Sequence, residues 1–370
     1  MEKNHKFVVL DAFRGVAAVI VVVYHLGLSS GNQVFPHGYL AVDFFFLLSG
    51  FVLTHAYQHR LDQGWGIGSF LKTRMARLYP LYFAGMMLTL LLFFAHLLAH
   101  SPQAENPRRY LELFALGVLF VPSPMAVAGF FPFIFPLNPP AWSLFYEIVV
   151  NAFHAAFGRR RSRIFLVALT SMSGVLLIAM TLRMGSLDAG ETLAQADYAL
   201  VRVVFAYTFG SLLCRLWHAG LIRLPNLPSL ATLLLIGSLA VPMSWHKTSV
   251  DLVSVLVIFP CVLLLGAAAK PIRWMVPPSL VLGRASYGIY VLHAPFAQLW
   301  RQIWIHVRGH SIEHDSPWSG LALVVGIIFF VLMLDRFYDV PARRWLADKL
   351  HLTRAHVEAR ATLVVLSMSH

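Results

Sequence analysis

Ten apolar runs follow one another along the chain, near residues 7–28, 39–57, 79–99, 141–157, 163–183, 198–218, 229–244, 251–269, 280–300 and 319–338. A run of about 20 apolar residues suits a lipid-spanning helix. In hydrocarbon the helix satisfies its own backbone donors and acceptors. The expected fold class is therefore all-α, a polytopic membrane bundle of about ten transmembrane helices. One more apolar stretch, 111–135, is broken by Pro122, Pro124, Pro132 and Pro136, and reads as a re-entrant or interfacial segment. Composition agrees: 58% of residues are hydrophobic and only 12% charged, about half the charge of an ordinary globular domain.

The 29 Lys and Arg residues orient the bundle. With ten spans and the N-terminus inside, 21 of them fall on the inner side and 6 on the outer; Arg14 and Arg202 lie within spans. A crossing at 111–135 would move the cluster Arg159, Arg160, Arg161 and Arg163 outside, against the positive-inside rule. Both termini are therefore expected to be cytoplasmic. A net charge of +12 would suggest nucleic acid in a soluble protein; here it is explained by inner loops, and no nucleic-acid partner is expected. Lys3 and Lys6 before an apolar core resemble a signal peptide, but Arg14 in the middle of that core argues for an uncleaved span. Cys214 and Cys261 are far apart in apolar segments, with no disulfide framework and no metal-type spacing. The chain reads as one membrane domain, 1–345, and a cytoplasmic tail, 346–370. It shows no internal repeat, which weakens a transporter reading.

Against this background the polar residues inside spans stand out, because a charge in mid-membrane costs about 2.5–3.5 kcal/mol on insertion scales. Arg14 and His25 share the first span. Eleven residues return to nearly the same helix face, about 16 Å apart. They cannot touch each other, but they can touch two ends of one reacting system. Asp43 enters the second span at a depth similar to His25; it either orients that imidazole or caps its own helix. Ser49 and Gly50 permit close helix packing. Arg74 and Arg77 share a face of a basic inner segment and suit bidentate phosphate recognition, or serve as a positive-inside anchor. Trp142, Ser143, Tyr146 and Glu147 open the fourth span. Glu147 must pair or be protonated. Arg202 is a partner for one of these acids. His293 lies toward the outer half of the ninth span. His55 and His59, and the group His306, His310 and His314, have ligand-like spacings but no strong metal motif, and read as solvated.

Taken in order, these segments resemble one family. Leu10-Asp11-Ala-Phe-Arg14-Gly15 followed by Tyr24-His25 is similar to the first-span signature of the acyltransferase-3 membrane O-acyltransferases, an arginine and a histidine with ten residues between. Asp43-Phe-Phe-Phe-Leu-Leu-Ser49-Gly50-Phe51 resembles the family's second-span motif. Arg74-Met-Ala-Arg77 resembles its Arg-x-x-Arg, Trp142-Ser143-Leu to Glu147 its Trp-Ser-Leu-x-x-Glu, and Leu282-Gly-Arg284 to His293 its penultimate span. The likeness runs over about residues 8–345. It implies transfer of an acyl group, usually acetyl from cytoplasmic acetyl-CoA, to a hydroxyl of a carbohydrate or related acceptor. On that basis His25, Arg14, Asp43 and Glu147 are the expected catalytic groups. Arg74 and Arg77 would meet the CoA donor, and Trp142, Ser143, Tyr146 and His293 the acceptor. Acetyl-CoA, or another acyl-CoA, would be a co-substrate; no bound cofactor and no metal are expected. The implied location is the inner cell membrane, with polysaccharide-biosynthesis proteins as candidate partners. Two features depart from the family: Phe145-Tyr146 replaces smaller residues, and Phe337-Tyr338-Asp339-Val340-Pro341 carries a shorter acid than the family's Tyr-x-x-Glu-x-Pro. The rival readings are a proton-coupled transporter or flippase, and a non-catalytic assembly subunit.

Overall fold

A computed structural model describes residues 7–30, 33–99, 106–124, 132–157 and 162–352. The cluster Arg159–Arg161, with Lys3, Lys6, Arg354 and Arg360, lies outside the described residues. Each expected span forms a helix: α1 (Val8–Ser30), α2 (Ala41–Asp62), α3 (Ile67–Leu98), then, after the short α4 (Pro107–Val118), α5 (Ala141–Phe157), α6 (Arg163–Met184), α7 (Ala196–His218), α8 (Pro228–Leu239), the pair α9 (Lys247–Val253) and α10 (Phe259–Ala268), α11 (Val276–Arg308), and the pair α12 (Trp318–Leu334) and α13 (Val340–Lys349). Among the described residues, seven helical segments are long and apolar enough to cross a membrane: Val8–Gly27, Gly38–Asp62, Ile67–Leu98, Arg163–Met184, Leu193–His218, Lys247–Ala268 and Trp318–Lys349. The other three expected spans are α5 and α8, which are short, and α11, which is long but less apolar. α13 runs through the boundary expected at 345.

Side-chain pairs fix the helix directions, and these reverse from each expected crossing to the next. α1 and α2 are antiparallel: Tyr24 packs on Tyr39 at one end and Phe7 on Phe51 at the other. α2 and α7, the second and sixth, run parallel, joined by Asp43–Arg202 and Gln58–Arg215. α3 and α11, the third and ninth, are parallel through Leu78–Tyr287 and His96–Gln302. α6 and α7 are antiparallel through Thr170–Thr208 and Thr181–Tyr198. Even α8 obeys the alternation, because the Leu239 carbonyl at its end receives the His37 N–H, close to where α2 begins.

The broken stretch 111–135 doubles back. α4 runs antiparallel to α3, with Tyr110 stacked on Phe93 at 3.9 Å and Tyr82 donating to the Gly117 carbonyl. Past α4 the chain returns: Ile134 N–H donates to the Glu191 carbonyl in the loop before α7. With 12 residues α4 covers about 18 Å, so it enters and leaves on one side.

Two tight places matter for the site. A Cβ on Gly50 would lie 2.0 Å from the Tyr207 carbonyl oxygen, and one on Gly210 would lie 2.0 Å from that of Leu47. Backbones at this crossing touch, as small residues allow between membrane helices. Elsewhere, π-helical turns at Ser254–Ile258 and Asp335–Asp339 each end two residues before a proline, Pro260 and Pro341. The widened turn accommodates the missing N–H and the ring that would clash with the carbonyl four residues back.

Candidate active site

Five helices meet around an open cavity of about 110 Å³. Its charged lining is three guanidiniums, Arg14, Arg74 and Arg77, and one carboxylate, Glu147. α1 brings Arg14 to α11, where Nε donates to Ser286 Oγ at 2.7 Å and Nη2 to the Gly283 carbonyl; Asp11, one turn earlier, pairs with it at 3.1 Å. α3 supplies Arg74, whose Nη2 lies 2.9 Å from Glu147 Oε1 on α5. Ser49 Oγ on α2 donates to the same oxygen at 2.6 Å. Charge-assisted bonds of this kind hold both partners in place. The apolar part of the wall comes largely from α2: Phe45, Phe46, Leu48, Val52 and Leu53.

The cavity leads to the far end of α1 through Tyr290. Its hydroxyl shares a 2.6 Å hydrogen bond with Ser143 Oγ, and both side chains line the cavity. Its carbonyl accepts from His293 Nδ1 at 2.6 Å. The His293 ring lies 4.8 Å from that of His25, centroid to centroid. His25 Nδ1 is 2.8 Å from the Val21 carbonyl. A carbonyl can only accept, so Nδ1 carries the proton on both rings and the basic lone pair sits on Nε2. His293 Nε2 is buried without a hydrogen-bond partner among the described residues.

The acids are not where depth alone suggested. Asp43 lies at the expected level, but its carboxylate faces α7, not His25. Arg202 meets both its oxygens, at 3.1 and 2.6 Å, and also donates to the Ala189 carbonyl. The guanidinium lies over Trp142 at 5.4 Å. Asp43 therefore positions Trp142 through Arg202. Glu147 is six residues into α5, about 9 Å below its start, which places it beside Arg74 rather than at the level of His25. Tyr146 packs edge-on against Trp142 at 6.3 Å, beside the cavity rather than in its lining. Asp339 turns away, to Arg343.

A family model for an acyltransferase domain matches residues 7–336. The chain belongs to the acyltransferase-3 family. It is a membrane O-acyltransferase. A second comparison finds a relative described as protein 2 in the picA locus of Rhizobium radiobacter, 40% identical over 187 residues, which make up 47% of this chain and 93% of that protein. No solved structure matches.

The structure also brings to this region residues that the sequence did not single out. Ser286, which holds Arg14, and Tyr290, which holds Ser143, both lie on the α11 segment with family likeness. Glu191 sits in the loop before α7, partly buried, and its carboxyl is pushed up to about 7 by burial and by the nearby Asp188, against the pull of Arg202. Nothing in the local sequence marked it. At the same end, Asp251 collects His37 Nδ1 at 2.9 Å, Tyr39 hydroxyl at 2.7 Å and the Leu187 N–H at 2.8 Å. This knot ties the loop before α2 to the loop after α6 and so holds the wall around Tyr24 and His25.

Proposed function

We propose that this acyltransferase moves an acetyl group from cytoplasmic acetyl-CoA to a hydroxyl of a cell-envelope carbohydrate. The observation carrying the reading is the continuous line from the arginine-lined cavity through Ser143 and Tyr290 to the paired imidazoles. CoA places its phosphates far from its thioester, at the two ends of a long narrow arm. Guanidiniums at one end of α1 and a base at the other, about 16 Å away, suit that shape. In this reading the Arg14 end faces the cytoplasm.

Arg74 and Arg77 hold phosphate oxygens, with Glu147 keeping Arg74 oriented. The apolar α2 wall excludes water from the arm. The acceptor oxygen attacks the thioester carbonyl carbon while His25 Nε2 takes the hydroxyl proton. The C–S bond then breaks, its electron pair leaves with sulfur, and the thiolate takes up that proton. His293, with its own lone pair at Nε2, lies where it can relay the proton. Trp142, Ser143 and Tyr146 shape the acceptor side.

The test is mass spectrometry of envelope glycans from cells carrying variants. His25→Ala should abolish the acetyl mass while the protein stays in the membrane. Arg74→Ala and Arg77→Ala should weaken the thermal stabilisation that CoA gives the purified protein. Wild-type acetylation with His25→Ala would refute the mechanism.

A further inference from the structure

The tight α2–α7 crossing has a second consequence, at its Arg14 end. One turn beyond Gly50, α2 presents His55. One and two turns beyond Gly210, α7 presents Cys214 and His218. Positions 214 and 218 are four apart and share a helix face, and the parallel register of the two helices sets them against His55. His55 Nδ1 and His218 Nε2 lie 2.9 Å apart, with the rings stacked at 22°. One ligand atom from each of the three side chains lies within 4.8 Å of the others. Cys214 is buried, His55 half-buried and His218 exposed, so the group opens to solvent on one side.

We infer that His55, Cys214 and His218 form a binding site for a soft divalent cation of the zinc class. Two imidazoles and a thiolate are a donor set that zinc accepts, with a fourth position left for water. Zinc bond lengths of 2.0–2.3 Å correspond to ligand separations of about 3.3–3.7 Å in a tetrahedron. The pair at 2.9 Å must open slightly and the longest separation must close by about 1 Å. Rotation of the exposed His218 supplies most of this. The thiol loses its proton to solvent as the metal–sulfur bond forms, and both imidazoles bind as neutral ligands. His218 is in the last turn of α7, where the helix dipole favours a cation. Arg215, the nearest positive charge on that face, is drawn aside by Gln58 Oε1 at 3.3 Å. The sequence pattern His55/His59 pointed to the wrong partner: His59 sits beside Gln63, and the second imidazole comes from α7.

The site joins the end of α2 to that of α7 two residues beyond Leu53, the last cavity residue on α2. Occupancy would therefore fix one wall of the donor cavity.

The experiment uses the full chain, purified in detergent, with cobalt(II) as a spectroscopic substitute for zinc. The sequence contains only two cysteines, so a Cys261→Ser variant leaves Cys214 as the sole thiol. That variant should bind one cobalt ion, with tetrahedral d–d bands and a thiolate-to-cobalt charge-transfer band, and zinc should displace it. Adding Cys214→Ser should remove the charge-transfer band. His218→Ala, at an exposed position, should lower cobalt affinity by more than the roughly 10–100-fold that losing even an outer-shell partner costs. A His310→Ala/His314→Ala variant should bind as before. The proposal is overturned if the Cys261→Ser chain shows no charge-transfer band, if the band survives without Cys214, or if His218→Ala binds cobalt unchanged.

Discussion

Asp43→Asn is the sharpest probe of how the site is held. The side chains of Asp43 and Arg202 are 1% and 2% exposed. Removing the negative charge leaves a buried guanidinium with one amide oxygen in place of a carboxylate, besides the Ala189 carbonyl and the Trp142 ring face. Breaking a buried pair from one side costs about 3–5 kcal/mol. For a chain of 370 residues that corresponds to a fall in apparent melting temperature of about 4–6 °C. The double variant Asp43→Leu/Arg202→Met removes both charges. Its main remaining cost is the Ala189 carbonyl, which loses a donor, about 1–3 kcal/mol. It should therefore be more stable than the single variant, with a coupling energy of about 2 kcal/mol or more. Thermal unfolding in detergent measures stability, and glycan acetylation in cells measures function. The double variant should regain stability together with a measurable part of the acetylation. A single variant that melts with the wild type would refute the buried-pair reasoning. A double variant that recovers its melting temperature and acetylates like the wild type would refute the positioning role, because Trp142 would then work without the guanidinium over its ring.

Three further outcomes follow from the same geometry. Gly50→Ala or Gly210→Ala sets a methyl 2.0 Å from a carbonyl oxygen and should abolish recovery of folded protein. Gly237→Ala, which meets nothing within 4 Å, should be neutral or stabilising by up to about 1 kcal/mol; chromatographic yield and melting temperature separate the two cases. Tyr290→Phe removes the bond to Ser143 without changing the packing, and should slow acetylation more than it lowers stability, which should change by about 1 kcal/mol. Glu191 links stability to pH. Its carboxyl is raised from the ordinary 4.5 to about 7, so between these values the folded protein keeps a proton that the unfolded chain has released. Its stabilising contribution is full below about pH 4.5 and is lost as pH rises through 7, by about 1–3 kcal/mol for a partly buried group. Melting curves at pH 5.5 and 8 should converge on each other in Glu191→Gln, after allowance for the other titrating groups measured in wild type.

Much of the bundle was legible because each span answers to hydropathy over about 20 residues and to the side on which basic residues collect. The alternation of helix directions follows from the same pattern. Pairing of polar groups was harder to read. Arg202 was recognisable as the partner of an acid, but which acid depends on the rotation of α2 against α7, and the touching backbones at Gly50 and Gly210 set that rotation. Glu147 was recognisable as an acid that must pair, but its partner depends on the six residues of rise that carry it to the level of Arg74 on another helix. His55 was noticed for a neighbour on its own helix, whereas its partner lies 163 residues away. Local spacing finds faces of one helix; the site is made where faces of several meet.

The brevity of α8 bears on the lipid around this enzyme. Twelve residues rise about 18 Å, against a hydrocarbon thickness of about 30 Å, and Leu230, Leu233 and Ile236 on its outer surface are exposed. Acyl chains along that flank must compress, or draw headgroups and water toward the midplane. One end of α8 bonds to His37, at the end of the molecule shared by His25. A hydrophilic acceptor carried on a lipid would have less hydrocarbon to cross beside α8 than beside the longer helices of the bundle.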